Sequence, residues 1–306
     1  MKYIVVGAGS IGQRHFENLK FLKADVQMIP WREIDLNSLI MKLGEIKGQV
    51  AIVVSTATNV RLPLINELAK VASALYVEKP IAFRKSDLDL IYTLPQKILR
   101  KSIGGFMMRY HPIVKLLLDK QLKDLIFASF EIGHDVNKWR ENWKFEDRYA
   151  SNPDGGGVLL DLCHEIDLAQ LLCGTAELKY VKSIDNENFK KVDFESTLFF
   201  KNKNGLEYKV SMNYLSKELI RRGSISTKNA KYDFDLVNNS FSERSESGEK
   251  KNILHINRNT LFIDIMRDFM LLAEGYETKN PFIPRLDKIK DVCYLIAHAW
   301  ESREFI

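Results

Sequence analysis

The sequence has little cysteine, no long apolar run and no concentrated block of one charge, and each absence removes a class of function. Cys163, Cys173 and Cys293 show no metal-ligand spacing and cannot all pair among themselves. No bound metal is therefore expected, and a reducing compartment is the simpler setting. No apolar run in the chain reaches the ~18 residues of a membrane-spanning helix. The opening Met1-Lys2-Tyr3-Ile4-Val5-Val6 places a lysine before an apolar stretch, as a secretion signal does. It runs at once into two glycines and Gln13-Arg14 with no small-residue cleavage pattern, so it reads as a buried first strand. A cytoplasmic location is the resulting expectation. The 45 Lys and Arg against 40 Asp and Glu leave a formal net charge of +5, with no long basic run. That excludes a nucleic-acid footprint and leaves a mild bias toward anionic substrates. Repeats, low-complexity tracts and a disordered tail are also missing from the pattern.

What is present is a soluble mix, 45% hydrophobic and 28% charged, in 306 residues, enough for two cores. The first third alternates short apolar strands (Tyr3 to Val6, Val26 to Ile29, Val50 to Ser55, Ala74 to Val77) with amphipathic helices. Strands apolar on both faces between helices predict an α/β, doubly wound parallel sheet. After Tyr110-His111-Pro112 the pattern changes to one helix, a strand, a Trp-containing loop and a Gly-rich turn opening a helix as far as about Leu172. Strands without intervening helices follow, with hairpin signals at 201–205 and 242–251, and predict a large open antiparallel sheet. Thr260 to Glu274 and Arg285 to Glu304 read as closing helices. The expected division is a dinucleotide-binding domain over 1–115 and a substrate-binding domain over 116–306, with chemistry in the cleft.

Gly7-Ala8-Gly9-Ser10-Ile11-Gly12 lies directly between the first strand and the first helix. That context gives the G-x-G-x-x-G pattern its meaning. Gly7 permits the turn, Gly9 lets backbone approach a pyrophosphate, and Gly12 lets helix and strand pack closely. The N–H groups of Ser10 and Ile11 then face the phosphates at the helix N-terminus. The residue that meets the adenosine ribose is expected ~20 positions on. Arg32 stands there, followed by Glu33. An Arg suits the 2′-phosphate of NADP and an acid the 2′-OH of NAD, so either cofactor is open, with a slight lean to NADP.

The fourth strand ends in Glu78-Lys79-Pro80. Ligands of open α/β sheets sit beyond the carboxyl ends of strands, so Lys79 is either aimed where desolvation would tune it for acid/base work or held in a surface ion pair of Glu78 with Lys79 or neighbours. Further on, Gly155-Gly156-Gly157 precedes Asp161, His164 and Asp167, spaced three apart as neighbours on one helical face beside apolar residues. Such a stripe either binds substrate and moves a proton or forms a satisfied core network.

These features together resemble the Gfo/Idh/MocA oxidoreductases, the family of glucose–fructose oxidoreductase and inositol dehydrogenase. The resemblance covers nearly the whole chain. It implies an N-terminal Rossmann domain, a C-terminal α/β domain whose open sheet makes homodimers or homotetramers, and hydride transfer at a sugar carbon. It implies Lys79 as acid/base, Asp161 and His164 as substrate-binding and proton-assisting residues, and Arg109-Tyr110 of the Arg-Tyr-His-Pro segment at the domain junction. Many members space the Asp and His four apart; here the interval is three, and Cys163-His164-Glu165-Ile166-Asp167 resembles a Ser-His-Glu-Leu-Asp-like run of a subset associated with nucleotide-sugar and surface-polysaccharide gene sets. The Ser55-Thr56-Ala57-Thr58-Asn59 turn replaces the family's Pro-Asn type. Ser55, Thr56 and Asn59 would still line the cofactor, as would Glu78 and Lys79. Arg140, Trp143 and Tyr149 of the aromatic loop suit a sugar face and a phosphate. The resulting expectation is an NAD(P)-dependent sugar or nucleotide-sugar dehydrogenase or reductase. A glycoside hydrolase using transient oxidation and a non-catalytic dinucleotide sensor are the competing readings.

Overall fold

The first apolar runs become strands because β-branched and apolar residues fill a pleated surface buried on both faces. A computed structural model describes residues 1–120, 122–138 and 144–306. Its opening elements are β1 (Lys2–Val6), α1 (Ser10–Phe21), β2 (Asp25–Ile29), α2 (Leu36–Gly44), β3 (Val50–Val54), α3 (Arg61–Val71), β4 (Ala74–Val77), α4 (Lys85–Ile91), α5 (Gln96–Lys101) and β5 (Ile103–Gly104). All neighbouring strands are parallel, in the order β2-β1-β3-β4-β5. The strand order reverses between β1 and β3, so the crevice for a ligand opens where those two strands end. Gly7 and Ser55 are the residues that follow them. Only β1 and β2 form the first half of the sheet. After β2 the chain makes a short 3₁₀ turn, Trp31–Glu33, and enters α2 directly.

The second set of elements is α6 (Pro112–Asp119), β6 (Leu125–Asp135), α7 (Val158–Asp161), α8 (His164–Cys173), β7 (Ala176–Asn186), β8 (Phe189–Asn202), β9 (Glu207–Asn213), β10 (Leu215–Thr227), β11 (Ala230–Asp235), β12 (Ser240–Ser245) and β13 (Gly248–Ile253). Helices α9 (Arg258–Glu274) and α10 (Lys290–Glu301) and strand β14 (Arg303–Phe305) complete the chain. The large sheet has nine strands in the order β13-β12-β11-β10-β6-β9-β8-β7-β14. It is mixed rather than wholly antiparallel, since β6 pairs with β9 and β14 with β7 in parallel. Both exceptions have a long stretch of chain between partners, which is what a parallel return requires. One face is buried, with Phe200, Tyr208, Val210 and Met212 set in alternation along β8 and β9. Leu159, Leu160, Ile166 and Leu172 of α7 and α8 are buried on the same unit.

By internal contacts the chain forms two units, Met1–Tyr110 with Asn257–Tyr294, and His111–Ile256 with Leu295–Ile306. Helix α9 thus belongs with the parallel sheet. Asn257 caps its start by accepting from the Asn259 N–H at 2.9 Å, and left-handed Gly275 ends it. Its Phe269 packs edge-on against Tyr3 and Tyr76. Among the described residues no helix is long and apolar enough to cross a membrane.

The start of α6 depends on a protonation state. Buried His111 accepts the Ile113 N–H at 3.2 Å through Nδ1, and its Nε2 lies 3.3 Å from Asn239 Oδ1. Both roles are met by a neutral ring carrying its proton on Nε2. Burial, only partly opposed by the Asn239 hydrogen bond, lowers the His111 pKa from 6.5 to about 4. Between those values the unfolded chain takes a proton that the folded chain refuses, so stability falls as pH drops. Comparing urea unfolding at about pH 7 and about pH 4.5, wild type should lose roughly 2 kcal/mol more than His111→Asn, which keeps a cap acceptor. Equal losses would show that His111 carries no acid sensitivity.

Candidate functional site

The glycine loop is built by close approach. Gly7 adopts φ +111, a conformation L side chains rarely take, and its N–H donates to the Ile29 carbonyl at 2.9 Å. A Cβ on Gly12 would stand 2.0 Å from the Gly7 carbonyl oxygen and 2.6 Å from Ser55 Oγ. Gly9 differs from both, because a Cβ there would meet nothing within 4 Å. It is the N-cap of α1, without a side-chain cap, and the first turn carries no acidic residue. The N–H groups of Ser10, Ile11 and Gly12 therefore end in an open cradle that a negative group can enter. The cradle fits a pyrophosphate.

The loop's inner wall is the end of β3. Ser55 Oγ donates to the carbonyls of Val6 and Gly7, at 3.0 and 3.1 Å, so the Ser55 hydroxyl supports the loop itself. Thr56 is buried with no hydrogen-bond partner for Oγ1 among the described residues, while Asn59 is exposed. Arg32 and Glu33 both sit on the exposed 3₁₀ turn after β2.

Beyond β4, Glu78 is buried and Lys79 half-buried, joined to Pro80 by a cis peptide bond. Glu78 Oε1 lies 2.6 Å from His15 Nε2, and Glu78 Oε2 accepts the Lys79 N–H at 3.2 Å. Burial pushes the Glu78 carboxyl up, but the hydrogen bond and charge of His15, with Lys79 and Arg61 nearby, hold it below its usual value. Arg61, buried at the start of α3, donates to the carbonyls of Glu78 (2.6 Å), Thr56 (2.5 Å) and Pro80.

In the second unit Asp161 is the last residue of α7 and His164 the first of α8, with a turn at Leu162-Cys163 between them. The single helix predicted from about 155 to 172 is therefore two helices. The three-residue interval does not stack Asp161 and His164 on one helical face. Asp161 accepts from Tyr149 at 2.8 Å and from Tyr214 at 3.0 Å, one tyrosine to each oxygen. Burial, then the Asp161 carboxylate, raises the Tyr214 pKa well above its ordinary value and keeps it a donor. The buried His134 ring lies 5.3 Å from the Tyr214 ring; burial lowers its pKa against the opposing charge of Asp161. His164 and Asp167 are buried, and Glu165 pairs with Arg221 at 2.7 Å.

Arg109 is half-buried and donates to the Phe282 carbonyl at 3.2 Å. The Tyr110 hydroxyl donates to buried Asp268 at 3.0 Å, so it is engaged within its own unit. Arg140 and Trp143 lie outside the described residues.

Residues 126–259 match the family model described as the oxidoreductase family's C-terminal alpha/beta domain, Gfo/Idh/MocA type. No curated protein matches the chain by sequence. In fold the chain is similar to UDP-N-acetylglucosamine 3-dehydrogenase GnnA from Acidithiobacillus ferrooxidans. There the identity is 16%, 99% of this chain and 98% of that one are covered, and the TM-score is 0.79. It is also similar to a levoglucosan dehydrogenase in complex with NADH, at 14% identity, 99% and 96% coverage and TM-score 0.79. An inositol dehydrogenase homologue complexed with NAD+ from Azotobacter vinelandii aligns at 12% identity, 99% and 95% coverage and TM-score 0.78.

Sequence reasoning overlooked His15, Arg61, His134 and Tyr214. His15 had one available signal, since it falls one helical turn after Gly12 on the helix that the loop opens. The loop geometry separates two glycine substitutions. Gly12→Ala should lower the thermal midpoint by at least about 5 °C, whereas Gly9→Ala should move it by less than about 2 °C. Equal, small shifts would mean that Gly12 does not mark a close approach.

Proposed function

We propose that the chain is a nicotinamide-dependent oxidoreductase acting on a carbinol or keto carbon of a sugar or nucleotide sugar. The observation that carries the reading is the open, uncapped cradle at Gly9. It stands at the reversal of a parallel sheet that carries Lys79 at the end of a nearby strand. The bound nicotinamide would supply hydride acceptance or donation. The protein's share is binding, orientation and proton handling. Gly9, Ser10, Ile11 and Gly12 hold the pyrophosphate through backbone, and Ser55, Thr56 and Asn59 flank it. Lys79 takes the hydroxyl proton in the oxidative direction and returns it in reduction. Asp161 orients substrate hydroxyls with Tyr149 and Tyr214 fixing its carboxylate, and His164 shares the proton. Arg109, Tyr110, Arg140 and Trp143 complete the proposed substrate contacts.

The slight lean to NADP rests on Arg32, exposed where β2 ends. Assembly into a homodimer or homotetramer through the large sheet is part of the proposal. It is supported by exposed Tyr180, Ile184 and Leu219 on its strands. A cytoplasmic setting is part of the proposal and is supported by three buried cysteines.

A thermal-shift screen with NADH, NADPH and a panel of nucleotide sugars tests the reading, since ligand at ~100 times Kd stabilises by about 2.7 kcal/mol. Saturating levels of either nicotinamide should raise the midpoint, and the absence of a shift with both would overturn the proposal. Lys79→Ala should cut turnover at least about 100-fold while changing cofactor Kd less than about threefold. Near-normal turnover would remove Lys79 from its role. Arg32→Ala should weaken NADPH at least about tenfold more than NADH; an equal effect on both would favour NAD.

A further inference from the structure

Helix α1 carries His15 inward as well as the cradle at its start. The ring is fully buried, with Tyr76 at 4.7 Å and Phe262 at 6.2 Å between ring centroids. Its Nε2 reaches Glu78 Oε1 at 2.6 Å, across 63 residues of sequence. The other carboxylate oxygen of Glu78 accepts the N–H of Lys79. Space for that carboxylate exists because residue 105 is glycine: a Cβ there would stand 2.9 Å from Glu78 Oε2. The backbone is held from the other side, since Arg61 donates to the carbonyls of Glu78 and Pro80. Lys79 thus lies between two anchored carbonyls, and its own N–H is anchored too.

We propose that His15, Glu78 and Arg61 form a buried positioning frame that sets the Lys79 side chain for proton transfer and ties it to the helix holding the dinucleotide. The proposal rests on the oxidoreductase reading and adds three positioning residues to it. A pair of apolar side chains would fill the His15 and Glu78 volume at a smaller desolvation cost. It would leave the Lys79 N–H without its acceptor. The polar pair is therefore better explained by what it does to Lys79 than by stability. Its reach also explains why the pair bridges α1 and the end of β4: one rigid contact fixes the acid/base turn relative to the cradle, and misplacement by a fraction of an ångström is costly for proton and hydride transfer.

The test uses the paired apolar variant His15→Leu/Glu78→Leu, with His15→Gln as the conservative change that keeps a donor toward Glu78. Folding is checked by thermal denaturation, and NAD(P)H binding by fluorescence titration. The double variant should fold and bind dinucleotide within about threefold of wild type, yet lose at least about tenfold in kcat, while His15→Gln keeps most of it. In a Lys79→Ala background the same double change should cost less than about twofold, because it acts through Lys79. An additional tenfold loss there would mark a general structural effect and overturn the proposal. A second readout needs no substrate: the rate at which acetic anhydride acetylates Lys79, followed by mass spectrometry against exposed Lys70. It should change at least about threefold in the double variant and stay near wild type in His15→Gln. An unchanged rate in the folded double variant would refute the frame even if the chain proved to have no oxidoreductase activity. A wild type without turnover on any sugar, with Lys79 reactivity still responding, would instead sink the oxidoreductase reading alone.

Discussion

The Arg61 guanidinium joins the turns that follow β3 and β4 at the strand ends of the first unit. It donates to carbonyls at residues 56, 78 and 80, which follow β3 and β4 where the parallel strands end. Those carbonyls have no ladder partner to satisfy them beyond the sheet, and a buried cation with a planar fork of donors meets several at once. Loops at this edge would otherwise be the least ordered part of an α/β sheet. With Arg61 in place, Ser55 can support the glycine loop from below and Glu78 can receive His15 from α1. The cradle and the lysine turn then belong to one connected set of buried polar contacts.

The second unit uses a carboxylate for the same purpose. Asp193 is fully buried on β8, accepts the Leu159 N–H at 2.8 Å and the Ser196 hydroxyl at 2.9 Å, and pairs with Arg303 on β14. Gly157 leaves the space it occupies, since a Cβ there would collide with the Asp193 carboxylate. A charge at the start of so short a helix as α7 fixes where Asp161 emerges one turn later. The tyrosines then hold the Asp161 carboxylate itself. Each unit therefore places one proposed working side chain by backbone anchoring and orients it by a second, directly bonded group.

Much of this was legible in the sequence where a backbone constraint leaves a residue type behind. The close approach at Gly12 can be met only by glycine, and the fully apolar Val50-Ala-Ile-Val-Val run can hardly be anything but a buried strand. The Glu-Lys-Pro turn was visible as chemistry. Arg61 was not, because its partners are carbonyl oxygens, which every residue has. The break after Asp161 was equally silent: Leu162-Cys163 contains no glycine or proline, and apolar burial on both sides of the turn looks like one continuous helix. Strand alternation located the large sheet but not the two parallel pairs, since a period of two carries no direction. Tyr214 follows β9 without a motif of its own, yet its burial brings a hydroxyl to Asp161.

The return of Asn257–Tyr294 to the first unit has a consequence for how such a chain can be recombined. The first unit is completed by a segment encoded between β13 and β14 of the large sheet, with Tyr3 bonded to Glu274 at 2.7 Å and Asn18 to Asn259 at 2.9 Å. A fragment ending near Tyr110 would expose the apolar surface that Phe262 and Phe269 now cover. Exchange of the first unit between similar chains therefore needs two transplanted pieces and matched joints, not a single crossover. Inheritance of the first unit is in this sense bound to inheritance of the sequence on both sides of His111–Ile256.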